Sequence, residues 1–138
     1  MVDMTPKKTK PDEKKHKASY VGAPAIFALK QACQDLSRAF YGCGIYLVGS
    51  ALERADWRDV DVRGILDDAE FAELFPDADD HWECDERWLW INISISERLA
   101  RITGLPIDFQ FQPQTQANAR HKGHRDCLSM SFDKKEKL

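Results

Sequence analysis

Apolar residues follow two different spacings along the chain, and the changes between them mark predicted helices and strands. From Pro24 they recur every three or four positions, which predicts an amphipathic helix ending near YGCG, on Ile26, Leu29, Cys33, Leu36 and Phe40. The run IYLVG (45–49) predicts a short buried strand. The segment RDVDVRGIL (58–66) alternates polar and apolar residues, so it predicts a strand with one buried face.

The second half of the chain repeats this pattern. DDAEFAELF (67–75) predicts a short helix because acidic residues begin it and Pro76 closes it. The acidic stretch 76–87 is either a loop or the first turns of the next helix. That longer helix ends at Gly104 and is predicted by the apolar positions Trp88, Ile91, Ile95, Leu99 and Ile102. PIDFQFQP (106–113) predicts a third strand, which Pro113 ends.

This order of elements predicts an α/β (α+β) fold with a small mixed sheet and helices packed on one of its faces. Residues 1–19 are lysine-rich with few apolar side chains, which predicts a basic disordered tail. A second interpretation is an electrostatic arm for nucleic acid or another acidic partner. Residues 20–120 form the predicted domain, and 121–138 a polar and basic C-terminal tail.

Composition narrows the class of protein. The 138 residues suffice for one domain, and 43% hydrophobic with 31% charged residues is typical of a globular protein in water. No apolar run is long enough to cross a bilayer, and the N-terminus lacks the apolar centre of a signal peptide. We therefore expect a cytoplasmic protein without a membrane partner. The cysteines form no Cys-x-x-Cys pair and are expected to be reduced, at Cys33, Cys43, Cys84 and Cys127.

The polar faces of the second and third predicted strands carry the candidate chemistry. If their valines and phenylalanines enter the core, Asp59, Asp61 and Asp108 lie on the exposed face. Three carboxylates at close range repel one another unless a cation lies between them. Mg²⁺ prefers oxygen ligands, and carboxylates at alternate strand positions can bridge two such ions. The pattern indicates phosphoryl or nucleotidyl transfer.

Gly49 and Ser50 end the first predicted strand and add candidate phosphate ligands. A glycine there lets the backbone approach a phosphate closely, and the serine offers N–H and hydroxyl donors. The other interpretation of Ser50 is a cap for the following turn. Arg63 shares the aspartate face, where it would either contact phosphate or neutralise the carboxylates.

The stretch VGSALERADWRDVDV resembles the signature of the DNA polymerase beta superfamily of nucleotidyltransferases, in its minimal single-domain form. PIDFQF resembles the strand with the third carboxylate of that family. The resemblance covers about residues 24–113 and implies the corresponding fold. It also implies that Gly49 and Ser50 bind the triphosphate, that Asp59 and Asp61 hold two Mg²⁺ ions, and that Asp108 shares one ion and helps deprotonate the acceptor.

The implied activity is transfer of a nucleoside monophosphate from an NTP, with ATP expected, to a hydroxyl of a protein, RNA or small molecule. Many members carry a further C-terminal helical domain, whereas only a short segment follows Pro113 here. Either a protein partner supplies the missing surface, or the chain is a pared-down member of the family, active or inactive. Minimal members of the family that work together with a toxin partner adenylylate that toxin, and the single-domain size of this chain resembles theirs.

Several alternatives stay open from the sequence. The main one is a non-catalytic interaction module of the same fold, such as a toxin–antitoxin or phage accessory protein. The basic cluster ARHKGHRD (119–126) would contact triphosphate or RNA, or would be a solvated tail. Two pairs of residues have the spacing of zinc ligands, namely His81 with Cys84 and His121 with His124. Cys127 is a further candidate ligand. Trp88 and Trp90 cannot share one helix face, so at least one of the tryptophans is expected at the surface.

Overall fold

The computed structural model describes residues 19–130 and contains four α-helices and four β-strands. The elements in chain order are α1 (Ala25–Ala39), β1 (Cys43–Val48), β2 (Val60–Leu66), α2 (Asp68–Leu74), α3 (Glu86–Thr103), β3 (Ile107–Pro113), α4 (Gln114–Arg120) and β4 (Asp126–Met130). The protein thus has the mixed α/β class predicted from the sequence. The predicted basic tail, apart from Ser19, and residues 131–138 lie outside the described residues.

The sheet has the strand order β3-β2-β1-β4. β1 is antiparallel to β2 and to β4, whereas β2 and β3 run parallel, so the sheet is mixed. Parallel neighbours require a crossover connection, and α2 together with α3 supplies it between β2 and β3. This crossover brings the two aspartate-bearing strands next to each other.

The core lies on one face of the sheet and follows the predicted alternation. Val60 and Val62 of β2 are fully buried, and Phe109 and Phe111 of β3 are at most 1% exposed. Helices α1 and α3 contact each other and cover this face. The opposite face carries the polar residues that alternate with this set, which leaves them available for chemistry.

Helix α3 begins within the acidic stretch that the sequence left open. The side chain of Asp85 accepts a hydrogen bond from the Trp88 backbone N–H at 3.0 Å and caps the helix. Just before it, Trp82–Cys84 forms a 3₁₀ turn whose Trp82 is buried. Gly104 ends α3 with φ of 74°, as predicted. Trp90 is 72% exposed, which confirms that not all tryptophans are in the core.

Side chains of α3 also close the outer edge of β3. Asn92 accepts from the Phe111 N–H at 2.9 Å, and Ser96 accepts from the Phe109 N–H at 2.9 Å. The Trp88 indole donates to the Phe111 carbonyl at 2.9 Å. These bonds take the place of a further strand at an edge that would otherwise have unpaired backbone groups.

The largest difference from the prediction lies after Pro113. The stretch 121–138 was predicted as a polar tail, but Asp126–Met130 forms β4 and pairs with β1. Within β4 only Leu128 is buried, so there was no alternating pattern to detect. Helix α4 also escaped prediction because Ala117 is its one buried residue. Asp68 holds its start by accepting the Thr115 N–H at 3.0 Å.

None of the helices within residues 19–130 is both long enough and apolar enough to span a membrane.

Candidate active site

The candidate site begins where β1 ends. Gly49 follows β1 with φ of 78°, a conformation that favours glycine, and opens the 3₁₀ turn Gly49–Leu52. A Cβ atom at this position would collide with the carboxylate of Asp61. Because Val48 pairs with Asp61 across the two strands, the turn passes directly beside that carboxylate. Gly49 and Ser50 therefore adjoin the aspartate face, as the sequence predicted.

Asp61 and Asp108 are partners in the parallel register of β2 and β3. Their chain neighbours Val60, Val62 and Phe109 are buried in the core, so both carboxylates lie on the opposite face. Their side chains are 27% and 45% exposed, respectively. The pairing that the sequence analysis inferred for the third strand is thus present.

Arg63 lies between the two carboxylates. Its guanidinium is 3.9 Å from the Asp61 carboxylate and 3.5 Å from that of Asp108, and its side chain is only 15% exposed. It also donates to the backbone carbonyls of Asp108 at 2.8 Å and Val62 at 3.1 Å. These contacts match the neutralising role, one of the two that the sequence allowed for this arginine.

The environment of Asp61 changes its acidity. Burial raises its pKa above the ordinary value, Arg63 lowers it in part, and the carboxylates of Asp108 and Asp59 raise it. The single guanidinium therefore does not offset the cost of an ionised Asp61. An additional positive charge, or a proton, would be stabilised at this position.

Asp59 differs from the other two carboxylates. It is exposed and precedes β2, which begins at Val60. Among residues 19–130, no group of three or more His, Cys, Asp or Glu side chains is arranged to hold a metal ion. The closely paired carboxylates are those of Asp61 and Asp108, and Asp59 acts on Asp61 through its charge.

Gln110 belongs to the site, although it was not among the site residues predicted from the sequence. Its amide donates to the two carboxylate oxygens of Asp108 at 3.4 and 3.5 Å. The signal was present, because Gln110 is two positions after Asp108 in the alternating run DFQFQ and so shares its face. This amide steadies the orientation of the Asp108 carboxylate.

A cleft of about 900 Å³ opens beside the Gly49–Leu52 turn. Gly49 and Ser50 form part of one wall, and His121 and His124 form part of the other. The basic cluster that followed the third predicted strand is therefore brought to the candidate phosphate ligands by the pairing of β4 with β1. Tyr20 also lines the cleft, and no local pattern in the sequence indicated this.

The residues with zinc spacing are divided between different places. His121 and His124 line the cleft, whereas His81 and Cys84 flank the turn before α3. The ring of His121 is within 3.2 Å of the His124 carbonyl. Cys127 lies on β4 with its thiol partly buried, which raises the pKa of that thiol.

Comparison with known proteins assigns the chain to no family. No family model matches it, and neither a curated protein nor a solved structure shows significant similarity.

Proposed function

We propose that the protein is a Mg²⁺-dependent nucleotidyltransferase that moves a nucleoside monophosphate from an NTP to a hydroxyl acceptor. The observation that carries the proposal is the pairing of Asp61 with Asp108 directly beside the Gly49 turn. This arrangement combines two oxygen ligands with a strand end that a phosphate can approach closely. The likeness of VGSALERADWRDVDV to polymerase beta superfamily nucleotidyltransferases supports the same activity.

The donor set fits a magnesium ion. Mg²⁺ is commonly held by one or two carboxylates and completes its shell with waters and substrate phosphates, so Asp61 and Asp108 suffice as protein ligands. The raised pKa of Asp61 indicates a place where added positive charge is favourable. Asp59 is the expected ligand of a second ion. When bound, Mg²⁺ would withdraw electron density from the transferred phosphate and stabilise the pyrophosphate.

The protein's own residues have separate tasks in this proposal. The backbone N–H groups of Gly49 and Ser50 and the Ser50 hydroxyl would donate hydrogen bonds to the triphosphate. The acceptor oxygen would form a bond to the α-phosphorus as the bond from that phosphorus to the pyrophosphate oxygen breaks. Asp108, steadied by Gln110, would take the proton from the acceptor hydroxyl, and Arg63 would hold the two carboxylates in place.

A second candidate function is a non-catalytic binding module, and the contacts of Arg63 favour it. A guanidinium between Asp61 and Asp108 already supplies the positive charge that a cation would otherwise provide. Such a module would use exposed surface, such as Trp90, to bind a protein partner. It would show no magnesium-dependent nucleotide binding.

The test is incubation of the purified protein with each of the four NTPs, labelled at the α-phosphate, with a cell extract and either Mg²⁺ or EDTA. Transfer of label with Mg²⁺ supports the enzyme and identifies both nucleotide and acceptor. Asp61→Asn should lower transfer more than about 100-fold, because it removes several kcal/mol of charge stabilisation. Asp77→Asn is the matched control, since Asp77 is exposed and outside the site. Absence of label with every NTP would contradict the proposal.

A further inference from the structure

The cleft beside the Gly49–Leu52 turn has a second wall that the carboxylate site does not require. This wall consists of the connection between α4 and β4 and contributes His121, Gly123 and His124. From the sequence, this connection is predicted to be part of a polar tail. In the structure it lines the same cleft as Ser50.

The connection between α4 and β4 is held in place by hydrogen bonds. Arg125, at the end of the connection, donates to the carbonyls of Ala117 and His121, each at 3.1 Å. The next residue, Asp126, pairs with Leu47 of β1. The connection is therefore fixed at both ends, to α4 and to the sheet.

Tyr20 is fixed on the other side of the cleft. Its backbone N–H donates to the Ala51 carbonyl at 2.7 Å, which attaches it to the Gly49–Leu52 turn. Its carbonyl accepts from the Trp57 indole at 3.1 Å. The backbone of Tyr20 is thus held against the turn, and Tyr20 lines the cleft together with Ser50 and Leu52.

The lining combines two kinds of chemistry. Ser50, the imidazoles of His121 and His124, and the guanidinium of Arg54 offer hydrogen-bond donors, whereas Glu53 is the one carboxylate in the lining. Tyr20 and Leu52 offer an aromatic and an apolar surface. A ligand with an anionic end and a flat ring would satisfy both, and a nucleotide has these two parts.

We infer that this cleft binds the NTP, with the phosphates between Ser50 and His124 and the base against Tyr20. The inference rests on the proposed function and extends it by naming the wall that grips the nucleotide. Gly49 lies next to both the cleft and the Asp61 carboxylate, so phosphates held here would extend toward Asp61 and Asp108. His124 and Tyr20 are then binding residues for the two ends of one ligand.

The test compares three probes by calorimetry on the full chain: ATP, tripolyphosphate and adenosine. His124→Ala should weaken binding of ATP and tripolyphosphate at least 5-fold and leave adenosine unchanged. Tyr20→Ala should weaken binding of ATP and adenosine at least 5-fold and leave tripolyphosphate unchanged. Lys122→Ala is the matched control, because Lys122 is an exposed cation of the same connection that does not line the cleft.

Two further variants keep the result interpretable if an alanine variant unfolds. His124→Gln is close to histidine in side-chain volume and Tyr20→Leu keeps a bulky apolar side chain, and thermal unfolding of each protein shows whether it is folded. If each folded variant binds each of the three probes as tightly as the wild type does, the inference is overturned. An equal loss of ATP and tripolyphosphate binding in Lys122→Ala would also overturn it, because the effect would then be one of general charge.

This experiment separates the inference from the proposed function. Selective loss of binding in the variants, without transfer of label, would support the cleft and contradict the enzyme. Transfer of label that is unaffected by His124→Ala and Tyr20→Ala would support the enzyme and overturn the inference.

Discussion

Asp61 lies directly opposite Asp108 on parallel neighbouring strands, and the guanidinium of Arg63 lies between their carboxylates. The arginine is mostly buried and donates to the Asp108 backbone as well as approaching its side chain. Two carboxylates this close together repel each other unless a positive charge lies near them. The stability of this strand pair should therefore depend on Arg63 and on pH.

We expect Arg63→Met to destabilise the protein by roughly 1–3 kcal/mol at pH 7, because it removes the positive charge beside two carboxylates and the side-chain donor to the carbonyls of Asp108 and Val62. Without the guanidinium the pKa of Asp61 rises further, so the destabilisation should shrink as the pH falls and the carboxylates are protonated. Urea unfolding at pH 7 and pH 4 measures both effects. Arg38→Met is the control, since Arg38 is 67% exposed in its ion pair with Asp35. Equal stability of Arg63→Met and the wild type at pH 7 would show that the arginine does not hold this pair.

Asp61→Asn should slightly stabilise the ligand-free protein at neutral pH, by less than about 1 kcal/mol. The pKa of Asp61 is raised in the folded state, so its ionisation costs stability as the pH increases from about 4 through the raised value. Asparagine has no charge and removes this cost. The gain should be present at pH 7 and absent at pH 3. Thermal unfolding across this range, with Asp77→Asn alongside, tests the expectation, and a loss of stability at pH 7 would contradict it.

Gly49→Ala should cost more stability than Gly104→Ala. Both glycines have positive φ, at 78° and 74°, and so share a backbone cost of about 1 kcal/mol. A Cβ at Gly49 also collides with the Asp61 carboxylate, whereas one at Gly104 has nothing within 4 Å. The difference in unfolding free energy therefore measures how closely the turn approaches Asp61. Asp61→Ala in the Gly49→Ala background should recover part of that difference, and equal costs for the two glycines would count against the close approach.

Asn92→Ala should destabilise the protein by about 2–3 kcal/mol. The substitution leaves the buried Phe111 N–H without its acceptor and removes a donor to the Trp88 carbonyl. Hydrogen exchange of the Phe111 amide should accelerate in the variant more than that of amides between β1 and β2. Ser94→Ala, on the exposed side of the same helix, should change neither measurement.

A chain that ends at Arg120 should lose cooperative unfolding. It lacks β4, and with it the buried Leu128 and the hydrogen bond of Ser129 to Ser37 at 2.8 Å. A chain that ends at Met130 retains all four strands and is the control. If the chain ending at Arg120 unfolds cooperatively with unchanged stability, residues 121–130 behave as the tail that the sequence suggested.

The sequence was sufficient for the elements whose apolar period is long. Helices α1 and α3 repeat their apolar positions over several turns, and β2 and β3 alternate clearly, so their bounds agree with the prediction to within about two residues. The placement of Asp61 and Asp108 on one face followed from the same alternation. The mutual pairing of β2 and β3 was an inference from this pattern, and the structure contains it.

The elements that escaped prediction are stabilised by distant contacts. β4 has one buried residue and exists through pairing with β1, and the start of α4 is held by Asp68, which is 47 positions away in the chain. No local pattern carries such information. The same holds for Tyr20 and His124, because they meet only across the cleft. The position of Asp59 before the strand, rather than within it, is likewise decided by where pairing with β3 begins at Val60.

The closed edge of β3 has a consequence for how the protein behaves at high concentration. An aspartate-bearing strand at a sheet border would ordinarily be open to strand addition, the first step of amyloid-like association. Here Asn92, Ser96 and Trp88 occupy the backbone groups through which a foreign strand would attach. Aggregation through this border therefore requires α3 to detach from β3 first. Fibrils should form only under conditions that loosen the packing of α3.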